Sequence, residues 1–209
     1  MEKCLIFCAA EFDHLAAPIG DDDYILAADG GLRHLEKLNL KPHGIIGDFD
    51  SLGYIPTGAQ VFPVEKDDTD AMLAARKGLE LGFRDFIFYG SLDGKRLDHT
   101  IANFQTLQFL RNHGATGYLV GKDYLVTIIR EETLEFSPEA EGILSLFCLG
   151  PDAEGVTLEN LYYPLTNGTL TSGFPLGVSN HFTGKAARVT VEKGSILALW
   201  DRKNGFPKR

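Results

Sequence analysis

The sequence predicts an α/β amino-terminal domain followed by an all-β sandwich, and two observations lead to this prediction. Up to about residue 123, short apolar runs alternate with segments in which apolar residues recur at the period of a helix. From about residue 124 the helical period disappears, and short β-rich runs separated by turn residues remain. Strand–helix alternation implies a mostly parallel, Rossmann-like sheet with helices on its faces. We therefore expect two domains, 1–123 and 124–209.

The first domain is predicted to contain both strands and helices. The strand candidates are 3–8, 24–29, 43–48, 60–64, 85–90 and 117–121. The helix candidates are 31–39, 69–81 and 98–112. One apolar stripe on the last helix is formed by Ile101, Phe104, Leu107 and Leu110. Parallel sheets bind ligands at the carboxyl ends of their strands, so the residues that follow each strand are the first candidates for a site.

The second domain is predicted from its β-rich runs and turn residues. The runs begin near residues 125, 133, 143, 155, 168 and 188. Asn167-Gly168 is typical of a tight turn. The segment 188–200 is typical of a hairpin that turns at 192–194. We expect the final residues, 201–209, to fray.

Composition and charge exclude several classes of protein. The chain has 209 residues, 44% of them hydrophobic and 23% charged, which is ordinary for a globular protein. The net charge of −9 argues against general binding to nucleic-acid backbones, but it leaves room for a small anion held through metal ions. Three cysteines without metal-site spacing indicate reduced thiols. With no membrane-length apolar run and no signal-peptide pattern, we expect a cytoplasmic protein that binds no membrane.

Four polar clusters follow predicted strands of the first domain. They are 29–31, 48–51, 65–70 and 90–99. If the strands are parallel, all four clusters meet at one edge of the sheet. Carboxylates would be brought there by Asp29, Asp48, Asp50, Asp67 and Asp70. Two such charges at about 4 Å repel by several kcal/mol even at an effective dielectric constant near 20, so the cluster needs cations. Oxygen ligands favour Mg²⁺ or Ca²⁺ over zinc.

The spacing within the clusters allows two interpretations. Asp48 and Asp50 are two residues apart in an extended segment, so both side chains point to the same side and can reach one ion. The same kinds of residue also have structural uses. Thr69 or Asp68 can cap a helix, and 29–31 can form a simple turn. The position of all four clusters at strand ends favours a functional site.

The fourth cluster, 90–99, supplies the opposite charge. Its glycines permit close approach of the backbone to an anion. Lys95 and Arg96 are cationic, and a guanidinium group suits phosphate oxygens. A helix that begins near Asp98 favours an anion at its amino terminus, and Asn103 can reach the same cleft. Acidic metal ligands opposite a basic, glycine-rich turn fit chemistry on a nucleoside triphosphate with Mg²⁺.

Six segments, spread over nearly the whole chain, resemble those of the thiamin pyrophosphokinase family in the family's order. They are ADGG (28–31), GDFDS (47–51), EKDDTDAMLA (65–74), GKRLDHTIAN (94–103), YPLTNGTL (163–170) and LGVSNHF (176–182). The resemblance implies transfer of a pyrophosphoryl group from ATP to the hydroxyl of thiamin, with release of AMP. It implies an ATP- and Mg²⁺-binding catalytic domain, a thiamin-binding and dimerisation domain, and a homodimer with active sites where two subunits meet.

The resemblance also implies roles for residues in the first domain. Mg²⁺ would be held by Asp48, Asp50 and Asp70. The same cleft would be lined by Asp29, Asp67 and Thr69. The nucleotide or substrate would be held by Arg96 and Asp98, with Asn103 nearby. Lys95 stands where the family often has glycine, and it either contacts phosphate or points to solvent.

In the second domain, the resemblance implies a thiamin site. Ser179 and Asn180 match the family's Ser-Asn pair near the thiamin pyrimidine. Tyr163 stands where an aromatic ring can stack on thiamin, although a position in the core would also explain it. Asp70 and Asp98 both remain candidates for the base that accepts the hydroxyl proton.

Two other functions remain open at this level. A Mg²⁺-dependent phosphohydrolase or nucleotidyl enzyme acting on another alcohol would have the same acidic groups. A thiamin sensor without catalytic activity would keep the binding residues. The presence of all the predicted metal ligands favours the enzyme over the sensor.

Overall fold

A computed structural model describes residues 2–50, 52–63 and 67–209 of the chain. The chain divides into two structural units, Met1–Lys122 and Asp123–Arg209. Among the described residues, no helix combines the length and the apolar character needed to cross a membrane.

The first unit is built on a parallel sheet. Its strands are β1 (Cys4–Phe7), β2 (Tyr24–Ala28), β3 (Gly44–Gly47), β4 (Gln60–Val61), β5 (Asp85–Tyr89) and β6 (Thr116–Val120). They lie in the order β6-β5-β1-β2-β3-β4, and each of these pairs is parallel. Every residue of β1 is buried, as expected for a parallel strand covered on both faces. The predicted parallel pairing is confirmed, although β4 is shorter than the predicted run 60–64.

The helices of this unit begin close to where the sequence predicts them. They are α1 (Leu32–Lys37), α2 (Asp70–Glu80) and α3 (Leu97–Asn112). Helices α1 and α2 pack on β1 and β2, and α3 packs on β6. The apolar stripe predicted on α3 is buried only in part. Leu107 and Leu110 are fully buried, whereas Ile101, near the amino terminus of the helix, is 51% exposed.

The second unit contains two antiparallel sheets. Its strands are β7 (Tyr124–Arg130), β8 (Thr133–Phe136), β9 (Ile143–Phe147), β10 (Ala153–Glu159), β11 (Leu165–Leu170), β12 (Asn180–His181), β13 (Ala187–Thr190) and β14 (Ser195–Asp201). One sheet has the order β12-β9-β14-β7 and the other β11-β10-β13-β8. The rings of Phe136 on β8 and Trp200 on β14 lie 5.4 Å apart, so the two sheets share an aromatic core contact.

Two turn predictions in this unit are wrong. The segment 188–200 is not a hairpin, because β13 pairs with β8 and β10 whereas β14 pairs with β7 and β9. Backbone bonds between Lys193 and Glu154 hold the connection against β10. Asn167-Gly168 lies inside β11, where Asn167 has a φ of 49° and the register with β10 shifts. A β-bulge therefore uses the positive φ that a tight turn would have used.

The final residues do not fray as expected. Glu135 of β8 and Lys208 exchange backbone hydrogen bonds of 2.9 and 3.0 Å. The indole N–H of Trp200 donates to the carbonyl of Gly205 at 2.9 Å. The side chain of Arg209 donates to Thr127 Oγ1 at 2.7 Å. These bonds attach the end of the chain to the second unit.

Candidate functional site

Three carboxylates meet at the carboxyl edge of the first unit's sheet. Asp29 follows β2 directly and Asp48 follows β3, and these neighbouring strands are parallel. One oxygen from each of Asp29, Asp48 and Asp50 lies within 4.8 Å of the others. Asp29 is buried, Asp48 is half-buried and Asp50 is exposed, so this acidic group extends from the core to the solvent. We call these three residues the acidic triad.

The local backbone explains why the triad forms. A Cβ atom on Gly47 would lie 3.0 Å from the Cα of Asp29, which is a tight contact, so glycine eases the close approach of the two strand ends. Asp29 and Phe49 both have positive φ values, 47° and 62°, which are uncommon outside glycine. The ring of Phe49 is buried, and Asp48 Oδ1 accepts the backbone N–H of Asp50 at 3.2 Å. Phe49 thus anchors the turn that presents both aspartates.

The donor set of the triad fits a hard divalent cation. All three side chains offer oxygen, which Mg²⁺ and Ca²⁺ prefer, and none offers sulfur or nitrogen. Three like charges this close are costly unless a cation neutralises them. Asp29 Oδ1 is buried from solvent, which raises the cost of its charge further.

Asp70 is not a member of the acidic triad. Among the described residues the group of close carboxylates has three members, and Asp70 is not one of them. Asp70 is the first residue of α2, and the hydroxyl of Thr69 caps that helix by accepting the N–H of Met72 at 3.2 Å. Burial, with a smaller contribution from the Asp70 carboxylate, raises the pKa of Cys8 to about 12. Asp70 therefore lies near the end of β1, and its predicted role as a metal ligand stays a prediction.

Asp67 and Asp68 of the third cluster are not members of the acidic triad. Asp67 is exposed. Asp68 forms an ion pair with Arg76 at 2.9 Å. Ser51, Glu65 and Lys66, which belong to the predicted clusters, lie outside the described residues.

The turn after β5 is held in place by glycine and by two side chains of α3. A Cβ atom on Gly90 would lie 2.5 Å from the carbonyl oxygen of Cys8, and Gly90 has a φ of 62°. The buried side chain of Asn103 donates to the carbonyl of Ser91 at 2.7 Å. Thr100 Oγ1 donates to the carbonyl of Leu92 at 3.3 Å. Asn103 thus contacts the backbone of the turn, and a direct role in binding stays a prediction.

Arg96 and Asp98 form an exposed ion pair at the start of α3. The guanidinium donates to Asp98 through Nε at 3.2 Å and through Nη2 at 2.6 Å. Chiefly through this hydrogen bond, Arg96 holds the pKa of Asp98 below its usual range. The pKa of Arg96 is raised mainly by Asp98, and the Asp50 carboxylate adds to that effect. Asp50 of the acidic triad therefore acts on Arg96, and Lys95 beside Arg96 is exposed. We call residues 90–96 the basic turn.

In the second unit, Asn180 and Tyr163 come together although they are far apart in the sequence. Asn180 Oδ1 accepts the backbone N–H groups of Tyr163 and His181, each at 2.9 Å. Asn180 Nδ2 donates to the carbonyl of Tyr163 at 2.7 Å. The ring of Tyr163 is 60% exposed and meets the ring of Tyr162 edge-on at 4.9 Å, so Tyr163 is not a core residue. Ser179 is exposed beside them, with its N–H donated to Ser145 Oγ at 3.0 Å.

Sequence reasoning missed several of these contacts. The buried ring of Phe49 had a signal, since an apolar residue between two aspartates indicates an anchor. No signal in the sequence indicated the hydrogen bond from Thr100 or the backbone contacts of Asn180. The exposed ring of Tyr162 was signalled only by its place next to Tyr163.

A broad surface depression lies at the opposite edge of the first unit's sheet. Its volume is about 760 Å³, and it is lined by residues 2–3, 20–23 and 81–85, which adjoin the amino ends of β1, β2 and β5. Asp23 there accepts the backbone N–H groups of Lys3 and Gly20, each at 2.9 Å, so it serves the fold. We place the candidate site at the carboxyl edge, because the acidic triad and the basic turn both lie at that edge.

Two models of one protein family match the chain. "Thiamin pyrophosphokinase, catalytic domain" matches residues 17–119, and "Thiamin pyrophosphokinase, vitamin B1 binding domain" matches residues 131–196. The chain belongs to the thiamin pyrophosphokinase family. A thiamine pyrophosphokinase of Bacillus subtilis is 25% identical over 183 residues, which cover 83% of this chain and 85% of the relative.

Solved structures of thiamin pyrophosphokinases share the fold. The Bacillus subtilis structure has a TM-score of 0.84 at 22% identity, covering 96% of this chain and 99% of that one. A family protein from Enterococcus faecalis has a TM-score of 0.80 at 25% identity, with the same coverage of 96% and 99%. The yeast enzyme has a TM-score of 0.74 at 15% identity, covering 97% of this chain and 87% of that one.

Proposed function

We propose that the protein transfers the pyrophosphoryl group of ATP to the hydroxyl of thiamin, giving thiamin diphosphate and AMP. The observation that carries the proposal is the acidic triad at the ends of adjacent parallel strands. Arg96 lies close enough for the charge of Asp50 to raise its pKa. Membership of the thiamin pyrophosphokinase family gives the substrates. An acidic group alone would repel a polyphosphate, so the pairing of acidic and basic groups supports a nucleotide held through metal.

The order of the strands supports this placement of the nucleotide. From β1 the chain moves outward to β2 and β3 on one side, whereas β5 and β6 lie on the other. In open parallel sheets, ligands bind outside the carboxyl ends of the strands where the direction of winding reverses. We therefore keep the Rossmann-like classification as part of the proposal, with the nucleotide near the ends of β1 and β5.

We assign a Mg²⁺ site to Asp48 and Asp50, with Asp29 as a further ligand. Asp70, the third ligand expected from the family resemblance, is proposed to line the cleft near the end of β1. When bound, Mg²⁺ neutralises phosphate and carboxylate charge and polarises the phosphoryl group. The protein's own part is to hold the carboxylates close together, which the Gly47 contact and the buried Phe49 ring support.

The basic turn is proposed to hold the phosphates of the nucleotide. Lys95 and Arg96 are both exposed, so they are accessible to an anion. Asp98 keeps the guanidinium of Arg96 oriented through two hydrogen bonds, and Asn103 keeps the turn in place. Catalysis of phosphoryl transfer depends mostly on positioning and charge neutralisation, which these contacts serve.

The proposed proton acceptor is Asp70 rather than Asp98. Arg96 lowers the pKa of Asp98, and a carboxylate with a lowered pKa is a weaker base. Asp98 is better suited to orient Arg96. Asp70 begins α2 and lies near the end of β1, beside the proposed position of the nucleotide.

We propose that thiamin binds at the exposed surface around Tyr163 and Ser179. The match to a vitamin B1 binding domain, residues 131–196, covers both residues. The thiazolium ring is a cation, and a tyrosine face attracts cations. Tyr162, Phe174 and Leu176 of the same unit are exposed as well, and this apolar surface supports a homodimer whose partner covers part of it. The three free cysteines support a cytoplasmic location.

A product assay by mass spectrometry tests the function. The protein is incubated with ATP, Mg²⁺ and thiamin, with and without EDTA. We expect AMP and thiamin diphosphate in equal amounts, and neither in EDTA. ADP or free phosphate would instead indicate a phosphohydrolase or another kinase, and thiamin binding without turnover would indicate a sensor. Light scattering coupled to size exclusion tests the dimer separately.

A further inference from the structure

We infer that Asn180 is a positioning residue that holds the backbone of Tyr163, and that it does not itself contact thiamin. The inference rests on the proposed function and deepens it. It assigns the contact with the thiamin rings to Tyr163, and it assigns the orientation of Tyr163 to the Asn180 amide. Its basis is a set of hydrogen bonds within the second unit.

The amide of Asn180 is already engaged. A side-chain amide oxygen accepts two hydrogen bonds, and the nitrogen donates two. Here the oxygen accepts from the N–H groups of Tyr163 and His181, and the nitrogen donates to the carbonyl of Tyr163. Asn180 is only 3% exposed. A ligand therefore finds no free acceptor on this side chain, and burial shields the second N–H of its nitrogen.

The Tyr163 segment depends on these bonds. Tyr163 lies between the end of β10 at Glu159 and the start of β11 at Leu165, so no strand pairing among the described residues fixes it. Its own N–H and carbonyl groups both bond to Asn180. Pro164 follows and has no N–H to offer. Because the ring is 60% exposed, side-chain packing contributes little to its orientation.

The neighbouring contacts place Tyr163 within an aromatic group. Tyr162 meets Tyr163 edge-on, and its N–H donates to the carbonyl of His181 at 3.0 Å. The ring of His181 lies 6.5 Å from that of Tyr162. Asn180 bonds to the backbone on both sides of this group, at Tyr163 and at His181. One buried amide thus bonds to the backbone of two of the three residues that carry these rings.

The first test is a substitution that removes the amide. Asn180→Ala is expected to raise KM for thiamin by about tenfold, the value of one or two lost hydrogen bonds, while kcat changes less and KM for ATP is unchanged. Calorimetry with thiamin alone should report the same loss of affinity. Asn180→Asp keeps an acceptor for the two N–H groups, but it replaces the donor with a charged oxygen that faces the carbonyl of Tyr163, so we expect it to raise KM for thiamin as well. The Asn180→Asp variant also carries the test if Asn180→Ala does not fold.

A matched control uses another asparagine of the same unit. Asn204 also bonds to both backbone groups of one residue, since it accepts from the N–H of Glu141 at 3.0 Å and donates to its carbonyl at 2.8 Å. Asn204→Ala removes the same kind of contact from a segment with no proposed role in binding. We expect its KM for thiamin to match that of the wild type.

A double-mutant cycle separates positioning from direct contact. If Asn180 acts through Tyr163, the double variant Asn180→Ala/Tyr163→Ala binds thiamin no more weakly than Tyr163→Ala alone. If Asn180 contacts thiamin, the two losses of affinity multiply, and the inference is overturned. An unchanged KM in Asn180→Ala overturns it as well. Failure of the wild type to form thiamin diphosphate would instead overturn the proposed function.

Discussion

The two candidate regions of this protein are built on different physical principles. In the first unit, charged side chains at the ends of parallel strands form the acidic triad, and a cation is needed to balance them. In the second unit, a neutral buried amide holds an exposed tyrosine by its backbone. The first region depends on charge, whereas the second depends on orientation. Substitutions should therefore affect turnover in the first region and substrate affinity in the second.

Each of the two regions contains a buried asparagine, but the two asparagines support their regions to different degrees. Asn103 donates one hydrogen bond to the turn after β5, which is also restrained by Gly90 and by Thr100. Asn180 makes two hydrogen bonds to Tyr163, which lies outside the strands, and a third to His181 of β12. The sheet topology positions the first region, and one side chain positions much of the second. Removal of Asn180 should therefore affect its site more than removal of Asn103 affects the turn.

The largest effect is expected from Asp50→Asn. This change keeps the size of the side chain and removes one charge from the acidic triad, so we expect formation of AMP to fall by at least about 100-fold while the fold is retained. The measurement is kcat/KM with saturating Mg²⁺, together with thermal unfolding. Near-normal turnover in this variant would contradict the proposed metal role.

The control for that experiment is Asp21→Asn. Asp21 is exposed at the opposite edge of the same sheet, in the broad surface depression. The change in net charge is the same, and the distance from the carboxyl edge is the difference. Unchanged kcat/KM in this variant would show that the loss in Asp50→Asn is local.

A smaller effect is expected from Arg96→Ala. The proposed contact with a phosphate oxygen is a charge-assisted hydrogen bond, so its loss should raise KM for ATP by about tenfold or more. The melting temperature should change little, because the Arg96 and Asp98 side chains are 69% and 64% exposed. A melting temperature far below that of the wild type, with KM for ATP unchanged, would assign Arg96 a structural role.

Asn103→Ala should mirror Asn180→Ala in the other unit. The carbonyl of Ser91 loses a buried donor, so the free energy of unfolding should fall by about 1–3 kcal/mol. We expect KM for ATP to rise a few-fold and KM for thiamin to stay the same, the reverse of the pattern for Asn180→Ala. The exposed Asn112, at the end of the same helix, provides the control variant Asn112→Ala. If Asn103→Ala raised KM for thiamin and left KM for ATP unchanged, the contrast between the two asparagines would be wrong.

The site at the carboxyl edge could be predicted from the sequence because the alternation of strands and helices that creates this edge repeats along the first unit. Apolar runs alternating with helical periods imply parallel strands, and parallel strands place the residues after them at one edge. Asp29 and Asp48 could be placed together on this argument alone. The closeness of Asp29 to the DFD turn depends on the Gly47 contact and on two positive φ values, which periodicity does not encode.

The second unit was harder to predict because its contacts are neutral and distant in sequence. The alternation of Val189 and Val191 predicts a buried strand face, but it does not say which sheet the strand joins. The hairpin prediction failed for this reason. Asn180 bonds to backbone groups seventeen residues away, and any sequence at Tyr163 offers the same groups. Only the structure could assign its partner.

The smallest expected effect concerns the titration of Asp98. Arg96 lowers the pKa of this carboxyl, so Arg96→Ala should raise it toward the ordinary value, as followed by carboxyl resonances in NMR. A lowered folded-state pKa stabilises the protein above the unfolded-state pKa, and this contribution is lost as the pH falls through the folded-state pKa. Acid unfolding of Arg96→Ala should therefore differ from that of the wild type only slightly, and only in the acidic range, because the pair is exposed. An unchanged pKa of Asp98 would mean that the ion pair does not persist in solution, and Asp98 would regain its place beside Asp70 as a candidate base.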